Sequence, residues 1–165
     1  MNANAGFLHA NDKYFPMKKF SLFFGLLSMV IITQAQSPVS WSFTAKKIAD
    51  KKYEVHLTAT MQQGWHLYSQ TQPEDAVVNP TSFVFSANPL LATEGKIKEA
   101  GKMEKFHDAK LGVSANQYAG TVDFVQVIKL KAKAKTNLAG TVEFQTCDDK
   151  KCLPPKKVNF NIAII

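Results

Sequence analysis

Cys147 and Cys152 are the only cysteines in this 165-residue chain, and they lie five positions apart in Phe144-Gln145-Thr146-Cys147-Asp148-Asp149-Lys150-Lys151-Cys152-Leu153-Pro154-Pro155. The segment is a polar turn between two strand-like runs, and a pair at that spacing can cross-link the arms of a hairpin. Two chemistries are open to it: a fixed staple, or a dithiol that trades its bond with other proteins. As a staple it contributes modestly, because closing so short a loop removes only about 2 kcal/mol of unfolded-state entropy in the chain-entropy model. As a reactive pair its thiol acidity is undecided, since Asp148 and Asp149 disfavour a thiolate while Lys150 and Lys151 favour it. Pro154 and Pro155 remove two backbone donors and stiffen the chain just after Cys152.

The meaning of the pair depends on compartment. Met17-Lys18-Lys19 is a short basic region, Phe20 to Ile32 is apolar, and Thr33-Gln34-Ala35 ends on small residues of the kind a signal peptidase reads. The expected organisation is therefore an N-terminal extension and leader over residues 1–35, with translation starting at Met17 and cleavage after Ala35, followed by one domain over 36–165. The apolar stretch is shorter than the roughly 20 residues that span a bilayer, so a removed leader is expected and a stable membrane anchor is not. The expected location is the periplasm or the exterior.

Lys13, Lys18, Lys19 and Asp12 leave with the leader, reducing 20 lysines and 13 acids to 17 and 12 and the formal charge from +7 to +5. There is no arginine, which counts against a nucleic-acid partner because base and phosphate forks favour the guanidinium. Lys129, Lys131, Lys133 and Lys135 alternate and are expected to form the solvated face of one strand.

The elements that must position the cysteines have a period of two. Trp41, Phe43 and Ala45 alternate with polar residues, as do Tyr53, Val55, Leu57 and Ala59, which gives two strands around Asp50-Lys51. Trp65-His66-Leu67-Tyr68 is a third apolar-aromatic piece. Pro73 to Pro80 is a loop, Phe83-Val84-Phe85 a strand, and Asn88-Pro89 its stop. A short strand is expected at Lys96 to Ala100, a polar loop from Gly101 to Gln117, and a long strand from Ala119 to Lys133. There Val122, Phe124, Ile128 and Leu130 share a face that Val125 and Val127 do not, which suggests a bulge. The last pair is Gly140 to Cys147 and Cys152 to Ile164. Alternation places Val142 and Phe144 on the apolar side and turns Cys147 away from the main core. Seven or eight strands without a helix give an all-β, immunoglobulin-like antiparallel β-sandwich, with a barrel as the competing closure.

Three pieces in order, Gly64-Trp65-His66-Leu67-Tyr68-Ser69, then Glu104-Lys105-Phe106-His107, then Val142 to Cys147 with Cys152-Leu153-Pro154-Pro155, resemble the N-terminal periplasmic domain of the DsbD family. The likeness covers most of residues 38–164, and the Cys-turn-Cys-x-Pro-Pro element is its most specific part. It implies a pair shuttling between dithiol and disulfide with no cofactor, drawing electrons from a thioredoxin-like donor and reducing oxidised periplasmic thiol proteins. It further implies that Cys152 engages the partner, that Cys147 resolves the mixed disulfide, and that Phe106 caps the pair. Trp65 and Tyr68 would flank the sulfurs, and Glu104 would be an acid close to them. The chain departs from the family pattern in its four-residue turn between the cysteines, in Lys105 where an acid is common, and in His107 where an aromatic is common. Because the chain stops at Ile165, the donor is expected on another polypeptide.

Two other function classes stand beside this one. A non-catalytic periplasmic binding sandwich would use the pair as a staple. A metal-handling protein would gather Cys147, Cys152 and some of His56, His66, His107, Met61 and Met103, soft ligands that suit copper; no histidine has a short ligand spacing to a cysteine. Without the resemblance, Phe106 reads as the anchor of a long loop, Trp65 and Tyr68 as core edge, and Glu104 as a solvated carboxylate.

Overall fold

The computed structural model describes residues 37–165. The expected leader, the cleavage after Ala35 and the boundary at 35/36 lie outside the described residues. Among the described residues there are nine strands and no helix: β1 (Val39–Ala49), β2 (Lys52–Met61), β3 (His66–Tyr68), β4 (Ser82–Phe85), β5 (Leu91–Asp108), β6 (Val113–Leu130), β7 (Thr136–Phe144), β8 (Thr146–Cys147) and β9 (Lys156–Ile164). They form two antiparallel sheets, one ordered β1-β2-β6-β3-β8 with β5 on the far edge of β6, the other β4-β7-β9. This is the expected immunoglobulin-like sandwich. Two separate sheets, instead of one closed on itself, rule out the barrel.

Strict alternation builds the core. Val55, Leu57 and Ala59 of β2 and Val122, Phe124 and Ile128 of β6 point inward from the large sheet, and Leu138, Val142, Phe144, Phe160 and Ile162 meet them from the small one. Trp41 on β1 joins the two layers, its ring 5.9 Å from Phe124 and 5.4 Å from Phe144. β1 and β2 turn at Asp50-Lys51, with Lys51 at φ 57°.

Several expected boundaries move. The polar loop at Gly101–Gln117 is instead the outer half of a long hairpin, because β5 and β6 pair from Leu91↔Leu130 to Asp108↔Val113. The short strand at Lys96–Ala100 is the middle of β5. The long strand runs from Val113 to Leu130, not from Ala119 to Lys133, and the lysine row does not continue it. Lys131 donates its N–H to the Leu90 carbonyl at 2.8 Å, after which Lys131, Lys133 and Lys135 lie exposed in the β6–β7 connection. The described residues hold nine strands instead of the expected seven or eight.

The bulge also sits elsewhere. Alternation in β6 is unbroken from Val122 to Leu130, and Gln126 occupies the buried position between Phe124 and Ile128. Its amide is satisfied by the carbonyls of Glu94 (3.0 Å) and Val127 (2.9 Å). That is possible because β5 carries two extra residues between Glu94↔Val127 and Lys98↔Val125. A compensating detour in β6 lies between Val122 and Tyr118, where Gly120 adopts φ 72°, a conformation that costs glycine little.

The final hairpin is divided between the sheets. β7 pairs β9 from Thr136↔Ile164 to Phe144↔Lys156 in the small sheet. After Gln145 the chain crosses over, and β8 pairs β3 in the large sheet as Leu67↔Thr146 and His66↔Cys147. Cys152 is not the start of β9; it makes an isolated bridge to Cys147, and Pro154-Pro155 separates it from Lys156, since proline cannot donate to a ladder.

Candidate functional site

Crossing to the large sheet decides which way the cysteines face. Thr146 points inward opposite the fully buried Leu67, so Cys147, opposite His66, points to the outer face. There it packs with Tyr68 and Ala115 in a small cluster separate from the main core. The orientation matches the expectation, although Cys147 is only 4% exposed. Cys152, bonded to it in a disulfide, is exposed. One sulfur-bearing residue is thus sheltered by the sheet and the other offered to solvent.

The turn that presents Cys152 is held by Asp148. Its N–H donates to the Lys151 carbonyl at 2.9 Å, and its Oδ1 accepts from the N–H groups of Lys150 and Lys151, both at 2.8 Å. Those backbone donors hold the Asp148 carboxyl below the usual carboxylate range. Leu153 N–H closes back on the Thr146 carbonyl at 2.9 Å. Gln145 ties the turn to the Pro73–Pro80 loop, its Oε1 accepting from Asn79 N–H at 2.8 Å and its Nε2 donating to Leu153 O at 3.3 Å.

Both cysteines line a cleft of about 490 Å³ on the outer face of the large sheet. Register explains its composition. His66 sits beside Cys147, Tyr68 is opposite Gln117, Phe106 is opposite Ala115, and Asp108 is opposite Val113; all of these side chains line the cleft. Phe106 is 45% exposed and belongs to β5, not to a loop. The cleft also takes Val77 from the Pro73–Pro80 loop and Leu111 from the hairpin tip, 77% and 74% exposed. An apolar rim of Val77, Phe106 and Leu111 around a disulfide is a surface that protein partners cover readily.

Of the residues singled out in the sequence, the cleft therefore gathers Cys147, Cys152, Phe106, Tyr68 and His66. Trp65 stays at the core edge, with the Lys151 ammonium 6.0 Å from its ring centroid, so it touches the turn and not the cleft. Glu104 shares the outer face and the Gln117 row but does not line the cleft. Beyond His66 and the two cysteines the metal candidates are dispersed: His56 hydrogen-bonds Asp123 at 2.6 Å, His107 contacts Ser114 at 3.0 Å, and Met61 lies in the main core. Among the described residues no group of three or more His, Cys, Asp or Glu is placed to hold a metal ion, and no helix is long and apolar enough to cross a membrane.

Sequence reasoning missed Val77, Asp108, Leu111 and Ala115 at the cleft. A signal existed in Asp108-Ala109-Lys110-Leu111-Gly112, where an Asp and a glycine bracket a turn. Asp108 Oδ1 accepts from Lys110 N–H at 2.8 Å and Leu111 N–H at 3.1 Å, and Gly112 has φ 65°.

A carboxylate that the sequence did not mark braces the Tyr68 wall. Glu99 on β5 accepts from Ser69 Oγ (2.7 Å), Gln70 N–H (2.7 Å), Gln70 Nε2 (3.1 Å) and Tyr118 OH (2.6 Å). Burial pushes its carboxyl up, but the hydrogen bonds outweigh burial and leave it below the ordinary value of 4.5. A folded-state value lower than the unfolded one means stability that is present above about 4.5 and lost as pH falls through the folded value. Glu99→Gln is expected to cost about 2 kcal/mol at neutral pH, the scale of hydrogen bonds to a charged group. The deficit relative to wild type shrinks below about pH 4.5; urea unfolding across pH measures both.

No curated protein matches the chain. Similar solved structures include the N-terminal periplasmic domain of ScsB from Proteus mirabilis, at 16% identity and TM-score 0.49, covering 74% of this chain and 44% of that one. The DsbD N-terminal domain of Neisseria meningitidis in the reduced form has 18% identity and TM-score 0.47, with 74% and 84% covered. The complex between the DsbD and PilB N-terminal domains of Neisseria meningitidis has 14% identity and TM-score 0.44, with 74% and 80% covered. The chain thus spans less than half the length of the ScsB chain it resembles. The family model described as thiol:disulfide interchange protein DsbD, N-terminal, matches residues 34–163, and this chain belongs to that family of thiol–disulfide exchange domains.

Proposed function

We propose that Cys147 and Cys152 are the working pair of a periplasmic electron carrier, reduced by a thioredoxin-like donor and reoxidised by the disulfides of other exported proteins. The domain doing this is residues 36–165, released from a leader over 1–35. The observation that carries the reading is the asymmetry of the pair: Cys152 is exposed and Cys147 is 4% exposed, inside an apolar-rimmed cleft. Thiol–disulfide exchange runs through a mixed disulfide whose formation needs access for the attacking sulfur and whose resolution needs a second thiol held close. Cys152 meets the first need and Cys147 the second. Phe106, Val77 and Leu111 give a partner apolar surface to cover while the sulfurs react, and Tyr68 supports Cys147 from the side.

The test is a trap. Reduced Cys147→Ala, offered an oxidised thioredoxin-like protein, is expected to accumulate a covalent adduct through Cys152 that dithiothreitol releases. No adduct, together with a wild-type disulfide that such proteins leave oxidised, sinks the proposal in favour of a structural staple.

A further inference from the structure

β3 and β8 are antiparallel neighbours with His66 directly opposite Cys147. Cross-strand partners leave the same face of a sheet with Cβ atoms about 5 Å apart, and His66 lines the cleft with both cysteines. Its backbone is fixed, since its carbonyl accepts from Thr146 Oγ1 at 2.7 Å, while the ring is only half buried. The rings of His56 and His107 are engaged by Asp123 and Ser114, away from the sulfurs.

A sheltered thiol needs a base, because burial disfavours the thiolate that must attack. The charged and titratable groups around Cys147 offer one suitable candidate. Burial pushes the Tyr68 phenol up, so it keeps its proton. Asp148 is held below the usual carboxylate range by two backbone N–H groups, and Asp108 already accepts from two. Asp149 is exposed on the turn, and an ordinary carboxylate is far too acidic to deprotonate a thiol at neutral pH. Lys150 and Lys151 are cations that stabilise a thiolate without removing its proton. Imidazole is the side chain whose ordinary titration falls between about pH 5 and 8.

We infer that His66 is the general base for the resolving step, an inference that rests on the exchange reading above. The Cys152 thiolate attacks a partner disulfide, forming the Cys152–partner bond and expelling one partner thiolate, which takes a proton from solvent. Cys147 then gives its proton to a ring nitrogen of His66 as its sulfur attacks Cys152. The Cys147–Cys152 bond forms, the Cys152–partner bond breaks, and the second partner thiolate leaves with the proton from the imidazolium. Two electrons pass from the dithiol to the partner disulfide.

Reduced full chain mixed with dithiobis(nitrobenzoate) separates the two steps, because one coloured thiolate is released when Cys152 attacks and another when Cys147 resolves. In His66→Gln the second release is expected to slow at least about a hundredfold at neutral pH, the lower range of general acid–base contributions, and its pH profile to change shape. Free imidazole added to His66→Ala should restore part of the second phase, which a purely structural role would not allow. A second phase of unchanged rate and pH profile in both variants overturns the inference while leaving the exchange reading intact. A wild-type protein that releases only one thiolate overturns both, since Cys147 then does not resolve.

Discussion

Cys152→Ala will reduce exchange with protein disulfides to the uncatalysed background, whereas Cys147→Ala will still complete the first half of the reaction. The asymmetry follows from the fold. β8 delivers Cys147 to the outer face of the large sheet between Tyr68 and Ala115, leaving it 4% exposed, so a lone thiol there meets a bulky protein disulfide only if the cleft opens. Cys152 stands beyond the Asp148-centred turn, outside both sheets. Rates of alkylation by iodoacetamide in the two single-cysteine variants give the independent check. Cys152 should react faster at every pH, and equal rates would mean that the asymmetry does not govern the chemistry. Both variants should lose the disulfide's contribution equally, about 2 kcal/mol for so short a closed loop in the chain-entropy model.

Alternation carried most of the sandwich. Wherever one face of a strand covers the core and the other meets water, as in β1, β2 and the inner half of β6, the pattern in the chain is the pattern in the fold. It failed where no core lies beneath. The outer half of the β5–β6 hairpin lies off the main core, with Gly101 to Asp108 largely in solvent and Val113 to Gln117 half-buried around the buried Ala115, so its residues are under little pressure to alternate and resemble a loop. The bulge expected from Val125 and Val127 failed for the opposite reason: they lie on the outer face of an unbroken strand, whose inward position between them is filled by Gln126, and the extra residues of β5 bring carbonyls to it.

The cleft was legible in proportion to how far its parts are tied to one chain segment. The Cys147–Cys152 turn is local and its spacing is visible in the sequence. Phe106 and Tyr68 entered through resemblance alone, and the cross-strand register of β3, β6 and β5 is what places them beside the sulfurs. Glu104 fails by two residues: its partner Gln117 lines the cleft, but β5 itself enters the lining only from Phe106 onward. Val77 and Leu111 come from turns whose position depends on long-range contacts; the Asp108–Gly112 bracket marks a turn around Leu111, but not that its tip reaches the cysteines.

Gly140→Ala will cost about 3 kcal/mol or prevent folding, the upper range for overpacking a filled interior. Gly140 sits in the middle of β7, between Phe85 on β4 and Phe160 on β9. A Cβ there would lie 2.5 Å from the Val84 carbonyl oxygen and 2.5 Å from Phe160 Cζ. The oxygen belongs to the neighbouring strand and cannot withdraw without breaking the ladder. The ring packs against Phe43 and Phe85, with centroids 5.2 Å and 5.9 Å away, so moving it disturbs the aromatic layer between the sheets. Gly120→Ala is the matched control, because its Cβ would meet nothing within 4 Å and the cost is only that of holding φ 72° with a side chain, about 1 kcal/mol. Chemical denaturation of both variants separates crowding from backbone strain, and equal losses would refute the close approach of the three strands. The consequence reaches the disulfide, since β7 is the strand from which the chain crosses at Gln145 to place Cys147. In a Gly140→Ala protein that still folds, a loosened small sheet should let Cys147 become more accessible to alkylation in the reduced form while Cys152, already exposed, keeps its rate.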